Sequence, residues 1–164
     1  MKRVPLIVLI FIGLIFIPIV LFDNGVYAQG MPDIGAKLSK KADDLWRIRK
    51  DFLDFTGSFK DTNPLEYDIC YGLKTMADSS YGMADTAAKL IFLHSLITEK
   101  KNKELAAWNI MRDLNHYTTS LEDNLDSINR FLTLTQSSAV VSTGRSLKDN
   151  MQELKQLLES VKLP

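Results

Sequence analysis

The C-terminal part of the chain carries the plainest pattern. Val140, Gly144, Leu147, Met151, Leu154, Leu158 and Val161 recur at alternating steps of four and three, with polar residues between them. That spacing puts each of them on one face of an α-helix and predicts a helix over 138–162. A second stripe, Ile69, Leu73, Met76, Ser80, Met83, Ala87, Leu90, His94 and Ile97, keeps the same rhythm. Its phase is unchanged across D-S-S-Y-G, which predicts one helix over 64–100, about 50 Å long at 1.5 Å per residue. Over 103–135 the stripe is Ala107, Ile110, Leu114, Tyr117, Leu121, Leu125, Ile128 and Leu132, with a repeated step of four that locally relaxes left-handed supercoiling. Over 32–60 it is Ile34, Leu38, Leu45, Ile48, Phe52, Phe55 and Phe59, with Lys41 as the intruder. Nothing after Gln29 alternates with period two, so no strand is expected.

The breaks between stripes are chemically marked. D-T-N-P-L-E offers Asn63 as a helix N-cap, Pro64 at the first helical position, and Glu66 placed to reach back to the cap or oppose the dipole. E-K-K-N-K supplies basic residues at a helix end with Asn102 as a turn residue, and T-Q-S-S supplies capping serines. Gly144 on a core stripe predicts close approach of two backbones. Short connections make sequential helices antiparallel neighbours, so the expected fold is all-α: an up-down-up-down four-helix bundle with coiled-coil-like packing. A three-helix bundle with one broken helix is the alternative.

The first residues change the picture of where the protein works. M-K-R is followed by an uncharged apolar run from Pro5 to Phe22, then D-N-G-V-Y-A, with Val26 and Ala28 small enough for a signal-peptidase site. Residues 1–28 read as a signal peptide and 29–164 as a single domain. An uncleaved anchor through residues 5–22 is the competing reading, since the run approaches the length of a short spanning helix. Either way the chain is expected to be exported, to the periplasm or the medium, with a membrane-anchored form as the alternative. The single cysteine, Cys70, allows no intramolecular disulfide and reads as a small buried side chain.

Composition narrows function by exclusion. With 20 basic and 20 acidic residues, the chain lacks the basic surplus that nucleic-acid binding needs. No nucleophile motif or catalytic constellation is visible, so no enzyme is expected. His94, inside L-I-F-L-H-S-L-I-T, is the sharpest candidate ligand. Register arithmetic from a turn near residue 101 sets it opposite Trp108 and near Met31, and His94 with Met31 is the pair that could hold a b-type haem. Packing without a ligand is the favoured reading, and no cofactor is expected. Asp113 with His116, in D-L-N-H, is a candidate for a loosely held surface metal. Tyr67, Tyr71 and Tyr81, with Trp46 and Trp108, fall off the stripes and are candidates for a partner face.

The expectation from sequence is thus a non-enzymatic, exported helical-bundle protein, consistent with a bacterial product. It would act by binding a protein or an envelope component, with homo-oligomerisation left open. A carrier of a small ligand or cofactor in the interior near His94 is the alternative.

Overall fold

The computed structural model describes residues 32–163. The expected signal or anchor segment lies outside them. Among the described residues there are four helices and no strand: α1 (Pro32–Phe59), α2 (Pro64–Ser95), α3 (Lys100–Leu134) and α4 (Ser138–Ser160). Helices joined by turns as short as 60–63, 96–99 and 135–137 must reverse direction if they pack on one another, and each sequential pair does. α4 also closes against α1. Across the diagonals α2 touches α4, whereas α1 and α3 have no such contact, so the cross-section is a rhombus with α2 and α4 on its short diagonal.

α1 packs on α2 more extensively than any other pair, and the residues of α2 explain why. Its fully covered seam holds Cys70, Ala77, Ser80, Ala84, Ala87 and Ala88 beside Ile69, Leu73 and Ile91. Small side chains let the two backbones approach, while Leu38, Leu45 and Phe52 of α1 supply the volume. The stripe of α2 is therefore rotated from the one its bulky residues draw. Met76, Met83 and Leu90 lie partly buried on its margin. The buried Ser80 hydroxyl donates to the Met76 carbonyl at 2.8 Å, and that of Thr56 to Phe52 at 2.6 Å, so neither is an orphan.

Helix α2 runs unbroken through Ser79–Gly82 but ends at Ser95 rather than near residue 100. Leu96 N–H turns back to Leu93 O at 3.1 Å and Ile97 N–H to His94 O at 3.2 Å, tightening the last turn. Consequently α3 begins at Lys100, and Asn102 is no turn residue; it stands in the first turn, donating to the Glu99 carboxylate at 2.6 Å.

Two glycines act as sockets for adjacent residues of α3. A Cβ on Gly72 of α2 would meet the Phe131 ring at 2.7 Å, and one on Gly144 of α4 would meet a Leu132 methyl at 2.5 Å. The close approach expected at Gly144 is thus helix to side chain, not backbone to backbone. Lys41, the intruder of the first stripe, is buried with its ammonium on Glu153 (2.5 Å) and Asn150 (2.9 Å) of α4. Arg49 of α1 pairs with Asp78 of α2, and Lys74 adds a second bond at 2.8 Å. Burial alone would raise the Asp78 carboxyl; the two cations outweigh it and hold the group below its ordinary range.

Nothing lies within 4 Å of a Cβ built on Gly82. Gly82→Ala is therefore expected to stabilise the protein by about 0.5–1 kcal/mol through helix propensity. Gly72→Ala must displace an aromatic ring, and is expected to destabilise by about 1–2 kcal/mol after the same propensity gain is offset. Urea unfolding of the two variants checks this; shifts of the same sign would contradict the socket.

Candidate functional site

The two ends of the fold differ in chemistry. At the α1–α2 and α3–α4 turns, Asn63 caps α2 as its sequence announces, accepting from Glu66 N–H at 3.2 Å. The Glu66 side chain does not complete a capping box. Asn63 N–H is already committed to Phe59 O at 3.0 Å, so the carboxylate is free to cross the fold. It accepts from Thr135 Oγ1 and Gln136 N–H, both at 2.6 Å, and is only 3% exposed. Thr135 Oγ1 in turn accepts from Ser137 N–H at 3.2 Å, and Ser137 caps α4 by accepting from Val140 N–H at 3.4 Å. Cys70 lies one turn on. Burial, with the Glu66 charge adding to it, pushes its thiol up to about 11, so it is inert at neutral pH.

The opposite end holds His94, in the last turn of α2, 1% exposed. Among the described residues neither ring nitrogen meets a hydrogen-bond partner. Burial depresses its pKa below the ordinary 6.5 and the Lys103 ammonium pushes the same way, while the Lys103 backbone opposes them from outside bonding geometry. Because the turn is at 96–99, His94 meets Lys103 and not Trp108, which is 63% exposed. The expected pairing with Trp108 is corrected by that shift. Met31, the other half of the haem pair, lies outside the described residues.

The remaining candidates are scattered. His116 is exposed, and the Asp113 carboxylate is engaged by Arg112 at 3.3 Å. No group of three His, Cys, Asp or Glu that could hold a metal ion occurs among the described residues, so the proposed Asp113–His116 site lacks a third ligand. Tyr67 and Tyr71 stack with centroids 6.3 Å apart and planes at 18°, and Lys74 lies 5.9 Å from the Tyr71 ring. Trp46 and Trp108 are exposed, the latter under the Arg112 guanidinium at 5.4 Å. Tyr81 is corrected: it packs against the core instead of facing outward. Helical spacing missed the polar closure by Glu66, because its partners are seventy positions away in sequence and two are backbone or hydroxyl donors without a motif.

Among the described residues the fold is all-α with four helices, one end closed by hydrogen bonds and the other holding a buried histidine that has no hydrogen-bond partner among them. No family model matches the chain, and no curated protein or solved structure matches it. None of the described helices is long and apolar enough to cross a membrane.

Glu66→Ala is expected to cost about 2–4 kcal/mol, since it removes two bonds to a buried, charged acceptor that join the start of α2 to the α3–α4 turn. Glu66→Gln, retaining one acceptor oxygen, should fall between. A loss below about 0.5 kcal/mol in denaturant unfolding, the range of ordinary surface substitutions, would remove Glu66 from this role. For His94 the sign is the same as that of a paired carboxylate, and opposite to that of a histidine raised by an acidic partner. Its folded pKa is below the unfolded 6.5, so the unfolded state binds the proton first. The stability due to neutral His94 is complete above 6.5 and is lost as pH falls from there towards the folded value. Thermal melts of wild type and His94→Leu at several pH values check it: the leucine variant should lose less stability between neutral and mildly acid pH.

Proposed function

We propose that this protein is an exported, non-enzymatic, up-down-up-down four-helix bundle with coiled-coil-like packing that works by binding a protein or envelope component outside the cytoplasm. The observation that carries the reading is the aromatic surface. Tyr67 and Tyr71 form a stacked pair on the outside of α2, with Lys74 against the second ring. Trp46 and Trp108 stand exposed on α1 and α3. Aromatic side chains of this kind give large contact area for little entropy loss when a partner covers them. Export is supported by the M-K-R start, the apolar run 5–22 and the V-Y-A site. Cross-linking and pull-down from the envelope fraction of the native host, with mass-spectrometric identification, tests the proposal. A single enriched partner is expected, bound at least tenfold more weakly by a Tyr67→Ala/Tyr71→Ala variant, since a hot-spot residue is worth 2 kcal/mol or more. Enrichment unchanged by that variant would reject the aromatic face.

One observation favours a second reading, a carrier of a small ligand or b-type haem. It is the pair of unsatisfied nitrogens on buried His94, which a ligand atom would satisfy. Protein purified from its native host would then show a Soret band or a stoichiometric metal. A featureless visible spectrum without metal removes the haem and metal forms of this reading.

A further inference from the structure

We infer that the α2–α3 turn and the first turns of α3 form a contact surface for an anionic lipid bilayer. The inference rests on the proposed export and binding role and names what one surface of the protein binds.

Four large apolar side chains are exposed around this turn: Leu93 in the last turn of α2, Leu96 beyond it, and Leu105 and Trp108 on α3. They stand among Lys100, Lys101 and Lys103. Those lysines are misplaced for the helix that carries them. The N-terminus of a helix is its positive pole, where carboxylates stabilise and ammonium groups destabilise. The first turn of α3 has no acidic residue, and the Glu99 side chain at its cap makes no bond to the exposed amides. The remaining acidic partner is modest: Lys100 reaches Glu104 at 3.8 Å, with both groups exposed. In water, then, this end leaves cations at a positive pole and leucines uncovered. Both conditions reverse at an anionic interface. Phosphate head groups neutralise the lysines and the helix pole together, while Leu and Trp enter the boundary and lysine stems lie along it.

The course of the chain agrees. α1 runs antiparallel to α2, so Pro32, where α1 begins, belongs to the same end as the α2–α3 turn. The apolar run Pro5–Phe22 precedes it in sequence. The intervening residues 23–31 can span at most about 30 Å. In sequence, then, the apolar run is closest to the helix end that belongs to this side of the fold.

The test places an environment-sensitive fluorophore on the full chain at Leu96→Cys, and in a separate protein at Thr62→Cys, in the turn at the other end. Cys70 is fully buried and stays unlabelled. Each protein is reconstituted with vesicles of phosphatidylcholine, alone or mixed with phosphatidylglycerol. The position-96 label should brighten and shift to the blue with phosphatidylglycerol present, and the position-62 label should not. Replacing Lys100, Lys101 and Lys103 by Gln should abolish the response, and the melting temperature should hold or rise because the helix pole is relieved. An equal response on pure phosphatidylcholine, an equal response at position 62, or a silent label at position 96 each overturns the inference. Capture of a protein partner through Tyr67 and Tyr71 beside a silent position-96 label would leave the proposed binding role standing and remove this surface alone.

Discussion

A carboxylate buried at 3% exposure must be satisfied from all sides, and for Glu66 the donors exist only across the fold. Its own cap amide is consumed by Phe59, which leaves Thr135 and Gln136 in the α3–α4 turn. That bond fixes the level at which the start of α2 meets the end of α3 and the start of α4. One turn further in, the consequence is visible in steric form: Phe131 enters the notch at Gly72, and Leu132 the notch at Gly144. A helical stripe alone tolerates sliding by one turn, because every fourth or third residue is apolar. A charged group with two short bonds does not tolerate it, since a slip leaves the charge unpaired in the interior.

Between the ends, ion pairs repeat this service more weakly. Lys41 ties α1 to Asn150 and Glu153 on α4. Arg49 and Asp78 tie α1 to α2, and Lys155, at 3.0 Å from Glu122, ties α4 to α3. Lys41 is the most covered cation of these, so it adds the most to register and costs the most if its partners are lost. The exposed pairs contribute little to stability. Their use is to discriminate among slipped packings that would satisfy the apolar stripes equally well.

Much of this was legible in the sequence for a physical reason: amphipathic spacing is a local property, and burial follows it. The stripe of α4 from Val140 to Val161 is buried residue for residue, and Asn63–Pro64 caps α2 as its chemistry requires. Where the reading slipped, small residues or distant partners decided. Ala77, Ala84 and Ala88 carry the buried side of α2 because bulky α1 residues such as Leu38, Leu45 and Phe52 already supply the volume of the core. The α2–α3 turn moved to 96–99 because E-K-K-N-K offered no glycine or capping side chain to mark it. That move alone displaced His94 from Trp108 to Lys103. The segment expected to be a signal or anchor, and Met31, lie outside the described residues.

The α2–α3 end is where local preference and fold disagree, and the disagreements have a common sense. A buried imidazole without hydrogen-bond partners among the described residues is tolerable on its own, because burial favours its neutral form. Lysines at a helix N-terminus are tolerable on their own, and so is an exposed leucine. Here all three occur within one hairpin, from Leu93 to Trp108, while the other end satisfies its buried groups through Glu66 and Ser137. Chains that fold well keep local choices consistent with the whole, and lapses concentrate where something other than folding is selected. His94 is then best understood through its setting. It fills a covered level beneath an exposed apolar tip, where burial and the neighbouring Lys103 both favour its neutral form.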